Sequence, residues 1–151
     1  MPQSRRTDII DFLVSNLKEI DGAQSGFDSS YTYNENIFNN VYRKIKFLDE
    51  VNDFPALYLN AGTEIRDFNT KSLTVATLDV TIRAYVYGED DSQTKADELI
   101  QDIEHVIYNL EGSPEKGILN IQIDNVSTDE GLAEPLGLAE IILTVEYRLE
   151  D

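Results

Sequence analysis

The strongest constraint on the fold of this chain is a long stretch of alternating side chains, SLTVATLDVTIRAYVYG, at positions 72–88. Apolar residues occupy every second position from Ala76 to Val86, and Thr, Asp, Arg and Tyr fall between them. Because successive side chains of a β-strand point to opposite faces, the pattern predicts a strand with one buried face. The stretch LAEIILTVEYRL at 138–149 repeats the pattern. A sheet with one covered and one partly polar face is therefore expected.

Two amphipathic helices, at about 4–21 and 92–111, are predicted to form the covering layer. In both segments the apolar residues recur at spacings of three and four, which places them along one side of a helix. The sequence therefore predicts an α+β fold. It is a two-layer sandwich in which both helices lie on one face of a mostly antiparallel sheet of four to five strands. Residues 1–151 are expected to form a single domain.

Shorter strands are predicted at 39–48, 54–59 and 118–126, and in the last of these Leu119, Ile121 and Ile123 are expected on the buried face. The segment NAGTEIRDFNTKS, residues 60–72, then joins two strands. Its thirteen residues exceed the usual hairpin connection of about two to five residues. We expect a projecting loop that contacts another protein.

Side chains that carry catalysis are scarce. His105 is the only histidine and cysteine is absent, which excludes disulfides, thiol chemistry and ordinary zinc sites. One histidine near the end of a helix does not make a Ser–His–Asp triad. The acidic turn Gly88–Ser92 offers oxygen ligands for Mg²⁺ or Ca²⁺, but capping of the next helix by Asp91 or Ser92 explains the same residues. We therefore expect no enzyme, no metal and no cofactor.

The net charge of −17 restricts the partners of this chain. Residues 101–151 alone contain 12 acidic and 2 basic residues. Such a surface repels the phosphate backbone and argues against tight DNA binding, although carboxylates along a channel would let DNA pass without sticking. Acidity that serves solubility alone is the simpler alternative. The basic cluster Arg43, Lys44 and Lys46 is expected to pair with acidic residues of a neighbouring subunit.

The order of these features resembles the tail terminator, or tail-completion, proteins of long-tailed bacteriophages, including the lambda type. A helix that opens with a basic pair precedes an Asn-rich aromatic stretch, VYRKIKFL, FPALYLNAGTE, a strand ending in YVYG, an acidic turn and ADELIQDIEHVIYNL. The resemblance covers roughly Ser4 to Leu149. Its most specific part is Phe54-Pro55-Ala56-Leu57-Tyr58 followed by Gly62 and Glu64.

The resemblance implies a late structural protein of the virion, located in the neck region of the tail and assembled in the host cytoplasm. Such proteins form a hexameric ring that caps the tail tube, stops its polymerisation and joins the tail to the head-completion proteins. The implied partners are other copies of the chain, the tail tube protein and the neck protein. Genome DNA passes through the lumen without specific binding, and no membrane is involved. The residues expected at interfaces are Arg43, Lys44, Lys46, Glu64, Arg66, Phe68, Arg83 and Tyr85.

Three alternatives remain at this point. A head-closure or neck protein of the same virion region has a comparable order of elements. A monomeric acidic binding module that imitates DNA would also explain the charge. An enzyme with a metal at Gly88–Ser92 is the third alternative.

Overall fold

The computed structural model describes residues 5–44, 47, 50–68, 74–110 and 117–149. They form two helices and five strands: α1 Arg5–Leu17, β1 Val41–Tyr42, β2 Ala56–Phe68, β3 Thr74–Tyr87, α2 Ser92–Leu110, β4 Ile118–Thr128 and β5 Leu136–Leu149. Neither helix is long and apolar enough to span a membrane.

All five strands lie in one sheet with the order β1-β2-β3-β5-β4. β1 runs parallel to β2, and the other neighbours are antiparallel. α1 packs over β1 and β2, whereas α2 packs over β3, β4 and β5, and both contribute to the same core. The predicted α+β sandwich with its helices on one face is therefore confirmed.

The two alternating stretches form the centre of the sheet, where β3 pairs with β5 along its whole length. Every second residue from Ala76 to Val86 is buried, and so is every second residue from Ala139 to Tyr147. The helices bury their predicted stripes against these side chains. The second helix matches the prediction to within one residue, whereas the first ends at Leu17, although Ile20 beyond its end is still fully buried.

The prediction of a thirteen-residue loop after residue 59 is wrong, because β2 continues to Phe68 and pairs with the beginning of β3. A bulge between Ala61 and Glu64 interrupts the register, and the pairing then resumes from Glu64 opposite Leu78. Arg6 in α1 donates a hydrogen bond from Nη2 to the carbonyl oxygen of Gly62 at 2.7 Å. The polar NAGTE sequence is therefore a kink inside a long hairpin strand, since an antiparallel strand with one open face accommodates polar residues.

The predicted strand at 39–48 is mostly wrong within the residues that the structure describes there. Only Val41 and Tyr42 pair with β2, and the chain bends at Arg43 and Lys44. A tight turn with positive φ at Phe38 and Asn39 leads into this short strand. Ile45, Lys46, Leu48 and Asp49 lie outside the described residues.

In β4, the predicted orientation of Leu119 towards the buried face is wrong. A register shift between Ile118 and Asn120 makes Leu119 a bulge residue, so its side chain is exposed while Ile118 and Ile121 are buried. The extra residue of a bulge reverses the alternation on one side of it, which simple period-two counting does not anticipate.

The segment between α1 and β1 is fastened to α2 by a buried carboxylate. Asp102 is fully buried, and its Oδ1 accepts hydrogen bonds from the Tyr31 hydroxyl at 2.8 Å and from the backbone N–H of Asn34 at 3.0 Å. Its Oδ2 accepts the backbone N–H of Glu35 at 2.9 Å. Burial raises the pKa of Asp102, against the opposing effect of these hydrogen bonds. The carboxylate thus fixes a non-regular segment that has little regular pairing of its own, apart from two isolated bridges.

Candidate assembly surface

The side of the sheet away from the helices, which we call the open face, carries the polar half of the alternating strands. On β3 it presents Thr77, Asp79, Thr81 and Arg83, and the β5 residues opposite them are Glu146, Thr144, Ile142 and Glu140. Each of these eight side chains is exposed or half-buried.

Carboxylates outnumber basic groups on the open face. Register places Asp67, Asp79, Glu140 and Glu146 on it, and Asp124 joins them because it accepts a hydrogen bond from the Thr144 hydroxyl. Within the described part of β3 and β5, the basic side chains that register places on this face are Arg83 and Arg148. Arg83 Nε lies 3.2 Å from Glu140 Oε2, and both side chains are about one-third exposed. Such a partly exposed pair contributes only about 0.2–1 kcal/mol, and it leaves the face acidic.

One end of the open face is filled by aromatic rings of the same subunit. Tyr58 stacks on Tyr42 with ring centroids 5.3 Å apart and meets Tyr85 edge-on at 5.7 Å. Val51 and Ala56 pack into this cluster. Tyr85 is only 1% exposed, so it offers almost no surface to a neighbouring subunit. Burial raises the pKa of both Tyr58 and Tyr85, so both hydroxyls stay protonated at neutral pH.

Arg43 and Lys44, which directly follow β1, form a basic margin at one border of the sheet. Arg43 Nη1 lies 3.1 Å from Asp11 Oδ1 in α1, with both side chains nearly half exposed. Lys44 is exposed and lines a shallow cleft with Tyr42 and Asp53. Lys46, predicted with them, lies outside the described residues. Two members of the predicted cluster therefore lie side by side in the chain at one edge of the sheet.

The residues expected on a projecting loop lie in β2 instead. The Glu64 side chain is only 5% exposed, accepts a hydrogen bond from the Tyr147 hydroxyl and lies 2.6 Å from Arg66 Nε. Burial alone would raise the pKa of Glu64, but Tyr147 and Arg66 outweigh it and hold that pKa below its usual value. Arg66 itself remains more than half exposed. Phe68 ends β2, and its side chain lies outside the described part.

The ring of His105 packs against the ring of Tyr31, with which it is stacked at a centroid distance of 4.0 Å. Its Nε2 lies 2.7 Å from the Ser25 hydroxyl.

In the acidic turn, Asp91 precedes the first residue of α2, and its carbonyl oxygen accepts the N–H of Lys95 at 3.0 Å. Across the described ranges, no group of three or more His, Asp or Glu side chains is placed to hold a metal ion.

Sequence reasoning identified Asp79 and Arg83 on the polar face but not the other open-face carboxylates. The sequence of β5 did contain a signal for Glu140 and Glu146, because its polar positions alternate with buried apolar ones. The Thr144–Asp124 contact depends on the bulge in β4, for which the sequence carries no comparable signal.

Comparison with known proteins adds to this geometry. Residues 3–151 match the family described as Bacteriophage Tail Tube Terminator Protein. The tail tube terminator protein p142 of Escherichia phage T5 is 32% identical over 155 aligned residues, which cover 95% of this chain and 93% of that protein. A chain from the virion of a native gene transfer agent particle has a TM-score of 0.49 at 11% identity, covering 73% of this chain and 79% of its own.

Both the family match and the T5 relative span nearly the whole chain, and both agree with the resemblance found from the sequence. The family is a class of structural tail proteins rather than a class of enzymes. This chain therefore belongs to the bacteriophage tail tube terminator family and is a tail-terminating structural protein of the phage virion.

Proposed function

We propose that the chain, as one domain, assembles into a hexameric ring that caps the last ring of the tail tube and stops its polymerisation. The same ring joins the tail to the head-completion proteins in the neck of the virion. The observation that carries this proposal is the acidic open face, which lies between two sheet edges that no other described strand pairs.

The acidic open face suits a channel that conducts DNA. Its carboxylates include Asp79 and Asp124, which are exposed, and they repel phosphate groups. A lumen lined in this way lets the genome pass without a binding site that would hold it, because like charges keep the polyanion away from the wall. Genome DNA is thus a passing partner of the ring and not a ligand.

The two sheet edges provide the unlike surfaces that a ring needs. A closed ring of identical subunits uses heterologous contacts, in which one patch meets a different patch of the next copy. One edge is the outer side of β4, and the other is formed by β1 and the outer side of β2 beyond it. Unpaired strand edges readily pair with another chain, so an assembly that covers both edges also removes a hazard of aggregation.

Charge pairing is proposed to set the order of the subunits. Arg43, Lys44 and Arg66 lie on or beside the β1–β2 edge and keep much of their charge exposed. Each meets carboxylates of the next subunit. Arg43 and Arg66 already have acidic partners within the subunit, so Lys44 is expected to contribute most of the new pairing.

The test is the length of tail tubes grown from purified tube protein. Wild-type protein added at the start should stop growth, so that mean tube length in electron micrographs falls as its concentration rises. Lys44→Glu should raise the concentration needed for the same effect severalfold and should weaken the ring. Lys18→Glu reverses another exposed charge, just after the end of α1 and outside the proposed pairing set, and should behave as wild type. Tube lengths that do not respond to wild-type protein would overturn the proposal.

A further inference from the structure

One end of the sheet exposes apolar side chains within an acidic surrounding. Three turns meet there: the turn before β1, the turn from β3 to α2, and the turn from β4 to β5. They expose Phe38, Tyr87 and Leu132 by 66%, 47% and 88% respectively. We call these three side chains, together with the cleft that Tyr87 lines, the apolar end surface.

Backbone hydrogen bonds bring the three turns to the same end. The N–H of Leu57, near the start of β2, donates to the carbonyl oxygen of Asn40 at 2.8 Å, which fixes the first turn beside β2. The N–H of Gly88, just after β3, donates to the carbonyl oxygen of Pro135 at 2.8 Å, which fixes the third turn beside β3. Because β2 begins where β3 ends, all three turns border one surface.

A cleft of about 300 Å³ opens in this surface. Its apolar walls come from the two residues before β2 and the last two residues of β3, and a carboxylate and an ammonium group lie at its sides. The lining residues are Phe54, Pro55, Val86 and Tyr87, with Glu35 and Lys95.

The turn that presents Phe38 is strained. Phe38 has φ of 51° and Asn39 has φ of 64°, a left-handed region that residues other than glycine adopt only at a cost in backbone strain. The side chain of Asn36 supports the turn by accepting the N–H of Phe38 at 2.9 Å. The aromatic ring gains little burial within the subunit in return for this strain. Backbone strain of this kind is found most often at functional sites, so we take this turn as a candidate contact site.

The charges around the apolar end surface are almost all acidic. Two of its three turns, from β3 to α2 and from β4 to β5, carry exposed carboxylates at Glu89, Asp90, Asp91, Glu130 and Glu134. An apolar centre with a charged, solvent-exposed rim is the usual composition of a protein docking site. The rim selects a partner with basic groups around an apolar contact, since complementary charges favour the correct encounter.

We propose that the apolar end surface docks on the end of the tail tube, and that the tube presents an apolar side chain for the cleft with basic groups around it. This inference rests on the proposed function and adds to it the face of the subunit that meets the tube. A second copy of the chain fits less well, because the same surface on two copies would bring two acidic rims together, and like charges across an interface repel.

The test measures binding of the protein to preformed tail tubes by co-sedimentation. Phe38→Ser with Leu132→Ser should weaken binding at least tenfold. The control pair Tyr108→Ser with Phe27→Ser changes two other exposed aromatic residues, outside the apolar end surface and both proposed ring edges, and should bind as wild type. Glu134→Lys should weaken binding severalfold, and Asp67→Lys, near the opposite end of the sheet, should not. Binding of wild type should also weaken as salt rises.

The outcomes separate this inference from the proposed function. If wild-type protein binds and shortens tubes while both Ser pairs behave alike, the docking surface is overturned and the terminator function stands. If wild-type protein does not bind tubes, both fail. Copies that stack on one another through this surface in the absence of tubes would identify a second copy as the occupant and would overturn the inference. If the variant with both Phe38→Ser and Leu132→Ser does not fold, the comparison of tube binding between Glu134→Lys and Asp67→Lys decides whether the docking surface stands.

Discussion

Replacing Asp102 by asparagine tests how the segment that carries the Phe38 turn is held. The carboxylate accepts four hydrogen bonds, from the hydroxyl of Tyr31, the backbone N–H and side-chain amide of Asn34, and the backbone N–H of Glu35. Asn keeps the shape but places an amide donor or a single acceptor where two charged oxygens stood. At least one donor, on Asn34 or Glu35, therefore loses its acceptor.

The expected loss of stability follows from these bonds. Hydrogen bonds to a charged group contribute about 1.5–3 kcal/mol each against about 0.5–1.5 for neutral ones, and a buried donor without an acceptor costs about 1–3 kcal/mol. Desolvation of the carboxylate, which also raises the pKa of Asp102, offsets part of the stabilisation that these hydrogen bonds provide. We therefore expect Asp102→Asn to lower the free energy of unfolding by about 2–4 kcal/mol.

Urea unfolding followed by circular dichroism measures this loss directly. Asp97→Asn is the matched control, because Asp97 is an exposed acidic residue on the same helix and its loss should change stability by less than about 0.5 kcal/mol. If Asp102→Asn also stays within about 0.5 kcal/mol of wild type, the carboxylate does not fasten this segment, and the reasoning is refuted.

Three further predictions concern pH and packing. The folded state holds the proton of Asp102 more tightly than the unfolded chain does, because the pKa of Asp102 is raised by folding. The difference in unfolding free energy between wild type and Asp102→Asn should therefore widen as pH falls through the raised pKa towards 3.8. A difference that stays constant with pH would contradict this. Tyr147→Phe removes a donor to Glu64 and should cost about 1–3 kcal/mol in urea unfolding, with a rise in the pKa of Glu64 by NMR titration. Gly137→Ala should cost about 1–3 kcal/mol in the same assay, since its Cβ would lie 3.0 Å from the carbonyl oxygen of Ser92.

The central strands were predictable because their alternation is a local property. The burial of every second residue in β3 and β5 needs only the period of a strand and one apolar layer above it. The length of β2 was not predictable in the same way. Its second half has few apolar residues, and it is held as a strand by pairing with β3 after a bulge at Ala61, which is a long-range contact.

The candidate site was predictable only in part. Arg43, Lys44 and the polar face of β3 followed from the sequence, whereas the sheet order that places the basic margin and β4 at opposite edges did not. Asp102 carried a signal that was overlooked: it lies three residues after Leu99 and four before Val106, and therefore on the buried side of α2. The apolar end surface arises where three distant turns meet, so no local pattern reveals it.

The central claim is that a ring of this protein sits on the end of the tail tube, and the most direct measurement counts the labelled copies at each tube end. Fluorescently labelled protein is bound to tubes, washed, and bleached one fluorophore at a time under a microscope. The proposal predicts label at a tube end only, with about six bleaching steps, in keeping with the hexameric ring. Single-step spots, or label distributed along the tube wall, would contradict it.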